Sequence, residues 1–169
     1  GLTPGQVSRL QLKWAFGFPG ATALYGQTVY DGRLYVTSNA GYVYSLDAET
    51  GCVHWSFRAE SAVRSGFSIG PLNQKDPRLA IYFGDIRGNA YALSASTGEQ
   101  VWKTLTDPHP LARITGTPVL LEGRLYVPVA SLEEPESGQA DYACCTFRGY
   151  MSALDAATAG VAIETLKLE

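Results

Sequence analysis

Long apolar runs are missing from this chain of 169 residues, and no stretch approaches the ~18 residues that a membrane-spanning helix needs. Methionine occurs once, and cysteine and tryptophan three times each. No Cys-x-x-Cys pair and no Cys-x-x-Cys-His run is present, which excludes a zinc ribbon and a covalently attached haem on this chain. Thirteen lysines and arginines stand against sixteen acidic residues, a net charge of −3 with no basic stripe, so nucleic acid is not an expected partner. No Gly-x-Ser-x-Gly elbow, phosphate-binding loop or dinucleotide fingerprint occurs. No secretory leader is visible at Gly1, where the first residues are polar. The chain is expected to be a piece of a longer protein.

Glycine is plentiful, at 18 positions, as is tyrosine, at ten. With 46% apolar and 17% charged residues the chain can bury a core. Turn formers between short aromatic and β-branched runs point to strands. Three segments share one plan. Residues 32–57 read GRLYVTSNAGYVYSLDAETGCVHWSF, and residues 78–105 read RLAIYFGDIRGNAYALSASTGEQVWKTL. The third starts as GRLYVPVA at 123–130, is interrupted by Ser131 to Phe147, and resumes as RGYMSALDAATAG at 148–160. Leu46 and Leu93 lie 47 residues apart, and Leu93 and Leu154 lie 61 apart, the excess being the insertion.

Alternation within these segments predicts strands near 33–37, 41–47, 52–57, 79–84, 89–94, 99–104, 117–121, 124–129, 149–155 and 161–166. Gly41 and Gly88 precede the second strand of their repeats, where a tight hairpin wants positive φ. A unit of three or four short strands cannot bury both faces alone, so units must stack. A period of 40–50 residues with about four strands is the signature of propeller blades. The expected fold is all-β: one domain over residues 1–169, a partial β-propeller of about three four-stranded antiparallel blades near 20–57, 64–105 and 114–166. Three blades do not close a ring, so open blade edges are expected to drive self-association.

The turn before the last strand is the most specific feature. Thr50-Gly51-Cys52-Val53-His54-Trp55 recurs as Thr97-Gly98-Glu99-Gln100-Val101-Trp102. The glycine allows the bend, and the tryptophan is large enough to dock on the turn of a neighbouring blade. Trp14 fits the same role for a blade whose first strands lie outside the chain. Three core tryptophans in some other β fold is the plainer alternative. The third repeat departs from the pattern, with Thr158-Ala159-Gly160 followed by Val161-Ala162-Ile163 and no tryptophan.

These turns, preceded by YSLDAE and YALSAS, resemble the blades of PQQ-dependent quinoprotein alcohol dehydrogenases, PQQ being pyrroloquinoline quinone. The opening LTPGQVSRLQLKWAF resembles the start of their propeller domain. KWAFGFPGAT, HPLARITGTPVL and above all CCTFRGYMSALDAAT are most similar to the haem-containing branch that oxidises polyvinyl alcohol. The resemblance covers nearly the whole chain and implies PQQ-type repeats. It implies an eight-bladed propeller that binds PQQ and a calcium ion near its axis, oxidises alcohols in the periplasm and passes electrons to a cytochrome. It also implies that the general-base aspartate sits on later blades. No catalytic residue is therefore expected on this chain, and the chain alone is expected to be inactive. Two alternatives stand beside this: a non-catalytic propeller scaffold that binds proteins, and an inactive remnant.

The resemblance also implies site residues. Glu133, with Glu134 next to it, falls where the family places a calcium-binding glutamate, and calcium takes hard carboxylate oxygens. Leu132 departs from the glycine usual beside that glutamate, and a solvated acidic loop including Glu136 and Asp141 is the plain alternative. Arg148 stands where related enzymes place an arginine. PQQ carries three carboxylates, and a guanidinium grips one at two points; a surface arginine at a turn is the alternative. Thr115 matches a threonine that contacts the quinone, or else merely starts a strand. Cys144 and Cys145 are adjacent, and related methanol-oxidising enzymes hold a ring of adjacent cysteines against PQQ on an earlier blade. Here that earlier position is Ala62-Val63-Arg64-Ser65, without cysteine, so Cys144 and Cys145 reach the cofactor only from their own loop or are two plain thiols. His54 and His109 lack partners at ligand spacing and read as structural, and Cys52 as a small buried residue.

Overall fold

The computed structural model describes residues 2–73, 75–143 and 145–167. Two four-residue helices are present, α1 (Pro4–Val7) and α2 (Glu133–Glu136), and the remaining regular structure is strand. Blade 1 contains β1 (Leu24–Tyr30), β2 (Arg33–Ser38), β3 (Tyr42–Asp47) and β4 (Val53–Arg58), paired in that order. Blade 2 repeats the meander with β5 (Ser68–Pro71), β6 (Leu79–Gly84), β7 (Asn89–Ser94) and β8 (Gln100–Leu105). Blade 3 is preceded by β9 (Ala112–Arg113) and built from β10 (Val119–Leu121), β11 (Arg124–Ser131), β12 (Tyr150–Asp155) and β13 (Val161–Lys167). All pairs are antiparallel, and β9 adds a fifth strand by pairing with the end of β11.

The ten expected strands are all present, each bound within two residues of its expected place. The first strands β1 and β5 are additional. They lie where blades approach each other closely. The Leu120 amide donates to Ser68 Oγ at 3.0 Å, the Gly66 amide donates to Thr117 Oγ1 at 3.2 Å, and a Cβ on Gly70 would sit 2.4 Å from Leu120 Cδ2. In β5 a serine and a glycine replace the large alternating side chains that announce a strand, whereas β1 carries Tyr25, Thr28, Val29 and Tyr30 around Gly26 and is simply missing from the expected strands.

Two apolar clusters join the blades. Tyr35, Val43, Trp55, Phe67, Ile81, Phe83, Tyr91 and Leu93 pack between blades 1 and 2. Ala80, Tyr82, Trp102, Ile114, Leu125, Val127 and Leu154 pack between blades 2 and 3. Alternation along β6 therefore sends Ile81 and Phe83 to one neighbour and Ala80 and Tyr82 to the other, and blade 2 is buried on both faces. Blade 3 has a free face: Val119, Leu121 and Met151 are exposed there, in register with half-buried Tyr126 and Pro128.

The tryptophans do dock on neighbouring turns. Trp14 Nε1 donates to the Ala48 carbonyl at 3.1 Å, Trp55 Nε1 to Ala95 at 3.1 Å, and Trp102 Nε1 to Ala156 at 2.8 Å. Gly51 and Gly98 have φ of +75° and +77°, and a Cβ on either would stand 2.7 or 2.6 Å from the Trp14 or Trp55 ring. Glycine is thus required twice over, for the backbone and for the indole lying on it. A bulge precedes Trp55 and Trp102: Ser45 pairs with Trp55 while Leu46 pairs with Val53, and Ala92 with Trp102 while Leu93 pairs with Gln100. The skipped residue re-aims the tryptophan towards the next blade. In blade 3 the same shift puts Ile163 in that register. Cys52 corrects the expectation of a small buried residue: it lies on the rim of the turn, exposed and free.

Candidate functional site

Blades 1 and 2 pass from second to third strand through tight corners closed by a side chain. Ser38 Oγ accepts the Tyr42 amide at 3.2 Å. Asp85 is fully buried and does more: Oδ1 accepts the amides of Arg87 and Asn89 at 2.9 and 3.0 Å, and Oδ2 accepts Asn89 Nδ2 and Tyr91 Oη, both at 2.9 Å. Burial, and after it the nearby Asp85 carboxylate, pushes the Tyr91 phenol well above its usual range.

Register places Val129 at the same corner of blade 3, opposite Tyr150. An isopropyl group cannot close such a turn. β11 instead runs on until Ala130 and Ser131 pair with Arg113 and Ala112 of β9. The chain then forms α2 and an excursion, and returns past Gly149, where a Cβ would meet the Val129 carbonyl at 2.9 Å.

Glu133 fastens that excursion. Only 5% of it is exposed, which settles it as an anchored side chain rather than part of a solvated loop. Its Oε1 accepts Tyr142 Oη at 2.6 Å, the Thr146 amide at 2.5 Å and Thr146 Oγ1 at 3.1 Å. The Tyr142 hydroxyl, followed by the Thr146 and Phe147 amides, holds the Glu133 carboxyl down at about 2. Its Oε2 lies 3.4 Å from Ser131 Oγ, a long contact. The Tyr142 phenol is raised in turn, first by its bond to Glu133.

The clasp reaches a second loop. His109 Nε2 lies 3.2 Å from Thr146 Oγ1, its Nδ1 accepts the Leu111 amide at 3.2 Å, and its ring stacks on Phe147 at 4.8 Å with 17° between planes. Tyr150 Oη donates to the Thr106 carbonyl at 2.8 Å. The connection between blades 2 and 3 is thereby tied to the insertion.

The residues singled out by sequence share this end of the blades. Thr115, two residues beyond β9, is exposed; Glu134 is exposed on α2; Arg148 is exposed at the close of the insertion, two residues before β12. Cys145 is exposed and disulfide-bonded. Cys144 lies outside the described residues, so the expected pairing is not described here. His54 is the bulge residue beside Trp55, with Nε2 only 3.7 Å from Asp47 Oδ2. Tyr142 and Thr146 are the partners of Glu133 that sequence reasoning missed, and His109, read there as structural, joins Thr146 from 37 residues away. Among the described residues no cluster of three or more His, Cys, Asp or Glu is arranged to hold a metal ion. Glu133, with Glu134 beside it, is left as a candidate ligand from the sequence, and calcium takes hard carboxylate oxygens of this kind.

Comparison with known proteins shows the family to which the chain belongs. The PQQ_2 family, described as "Outer membrane protein assembly factor BamB", matches residues 7–158. Polyvinylalcohol dehydrogenase of a Pseudomonas species is 44% identical over 167 residues, which cover 98% of this chain and 26% of that protein. Polyvinylalcohol dehydrogenase of Sphingopyxis sp. strain 113P3 is 43% identical, covering 93% and 24%. The chain thus spans about a quarter of the length of the curated relatives it matches. Among solved structures, a europium-containing methanol dehydrogenase superposes with a TM-score of 0.70 at 24% identity, covering 92% of this chain and 27% of that one, which shows the shared propeller fold.

Proposed function

The chain belongs to the PQQ_2 family of PQQ-repeat propellers, and from that premise we propose that it is part of a periplasmic quinoprotein that oxidises alcohols with PQQ and calcium. One observation carries the proposal: Thr115, Glu133, Cys145 and Arg148 stand on loops at the same end of blades 2 and 3, gathered by an insertion that the other two blades lack. A plain scaffold has no need of that insertion.

When bound, PQQ supplies the two-electron acceptor for alcohol oxidation. The chain supplies groups that suit it. The exposed Arg148 guanidinium holds a carboxylate through two parallel N–H bonds, and the Thr115 hydroxyl offers a further hydrogen bond. Glu133 is ionised throughout the neutral range and is the proposed cation ligand; Glu134, exposed on the next position, is the alternative ligand. The remaining cation ligands and the general base are proposed to lie on other blades of the complete protein. The polyvinyl-alcohol relatives point to alcohols, polymeric ones included, as the substrate class. A cytochrome is the proposed electron acceptor. In the isolated chain the free face of blade 3 binds a second copy; a monomer at every concentration in sedimentation would argue against that.

The test is alcohol-dependent dye reduction by the complete natural protein loaded with PQQ and calcium. Turnover by the complete protein, and none by the 169-residue chain alone, is expected. A complete protein that turns over no alcohol would support the competing scaffold function, which the BamB description of the family favours.

A further inference from the structure

The insertion of blade 3 is fastened by a hydrogen-bonded chain whose proton positions the structure determines. Thr146 Oγ1 donates to Glu133 Oε1 at 3.1 Å, beside its own backbone amide at 2.5 Å. A backbone N–H only donates, so the Leu111 amide must donate to His109 Nδ1, which leaves the ring proton on Nε2. Nε2–H then points to Thr146 Oγ1, 3.2 Å away. The chain runs His109 Nε2–H to Thr146 Oγ1–H to Glu133 Oε1, with Tyr142 Oη arriving at the same oxygen.

We propose that His109 is a positioning residue: by holding Thr146 it orients the Glu133 carboxylate and fixes the insertion that carries Cys145 and Arg148. Its ring is held on three sides. Phe147 stacks on one face, the Leu111 amide occupies Nδ1, and Asp107 Oδ1 accepts the His109 amide at 2.7 Å, which sets the turn on which the ring stands. Glutamine is the one other side chain that places an N–H near the Nε2 position, and it is neutral. The arrangement also explains why an excursion of this length returns to one place. The side chain at the equivalent corner in blade 2, Asp85, closes its turn within four residues, from Asp85 to Asn89. Glu133 spans thirteen residues to Thr146 and needs an outside support, which the blade 2 to blade 3 connection provides through His109.

The use made of the ordered insertion rests on the quinoprotein function proposed above, but the positioning does not, and its test needs no cofactor. Long-range proton–nitrogen NMR spectra of the uniformly labelled chain at neutral pH should show His109 as the Nε2–H tautomer. The Thr146 amide should exchange slowly. Substituting His109→Ala should speed that exchange by about tenfold, the worth of one hydrogen bond. His109→Gln should stay within about threefold of the parent, because the donor is kept. The Nδ1–H tautomer would overturn the proposal without any variant. So would unchanged Thr146 exchange in His109→Ala, or a glutamine variant that behaves as the alanine does. If the exchange results hold while the complete protein oxidises no alcohol, the positioning stands and the quinoprotein function falls.

Discussion

Trp102 on β8 and Ala156 at the end of blade 3's third strand are joined by an indole-to-carbonyl hydrogen bond of 2.8 Å, across 54 residues of sequence. Trp102 also lies in the cluster that glues blade 2 to blade 3. It thus contributes a hydrogen bond and a large apolar surface at one junction. Trp102→Ala should destabilise the chain by about 3–5 kcal/mol, the usual cost of deleting a buried large aromatic side chain. Trp102→Phe keeps much of the surface and loses the bond, at about 1–2 kcal/mol. Urea unfolding followed by far-ultraviolet dichroism gives both numbers; equal, small losses would contradict the junction's role.

Ala159 stands where Gly51 and Gly98 stand in the other turns, with φ of +61°. A left-handed conformation costs an L-residue about 1–2 kcal/mol, and glycine gives back about 0.5–1 in chain entropy. Ala159→Gly should therefore stabilise by about 0.5–1 kcal/mol, whereas Gly98→Ala should destabilise, since its Cβ would fall 2.6 Å from the Trp55 ring. A melting point for Ala159→Gly below that of the parent would refute the strain.

The fold was legible because the blade repeats announce themselves twice, by alternation and by the Thr-Gly to tryptophan spacing. Trp14, which lies in no strand, was still readable by that role alone. β5 was not, because close approach between blades puts Ser68 and Gly70 where alternating large side chains would stand; β1 was missed although its Tyr25, Thr28, Val29 and Tyr30 suit a strand. Of the candidate site, the sequence offered Thr115, Glu133, Glu134, Cys144, Cys145 and Arg148 but not what anchors them. Whether Glu133 was buried depended on Tyr142 and Thr146, partners that no spacing rule pairs with it. His109 reads as a loop residue between two prolines until the insertion closes over it. Cys52 was misjudged because it belongs to the turn before β4 starts at Val53, so strand alternation does not govern which way it faces.

The Glu133 clasp has a pH signature. Its carboxyl is held at about 2, below the usual 4.5, so its contribution to stability is complete above about pH 4.5 and is lost as the pH falls towards 2. The urea midpoint of the parent should exceed that of Glu133→Gln near neutral pH, and the gap should narrow between pH 4.5 and 2. A gap that stays constant over that range would show that the ionised form is not what the loop binds.

Maturation in an oxidising compartment should join Cys144 to Cys145 and leave Cys52 as the sole thiol. Alkylation of the unfolded protein without reductant should then add one label, and after reduction all three cysteines should react. Three labels without reductant, on protein recovered from the periplasm, would contradict the pairing.

The most direct measurement is PQQ binding by the complete natural protein, with and without Arg148. Equilibrium dialysis with calcium present should find one PQQ per protein. Arg148→Ala should weaken binding by about 10- to 100-fold, as expected when a charged two-point contact is lost, and Arg148→Lys should recover only part of it. No PQQ bound to the complete protein, or an Arg148→Ala variant that binds as the parent does, would contradict the account.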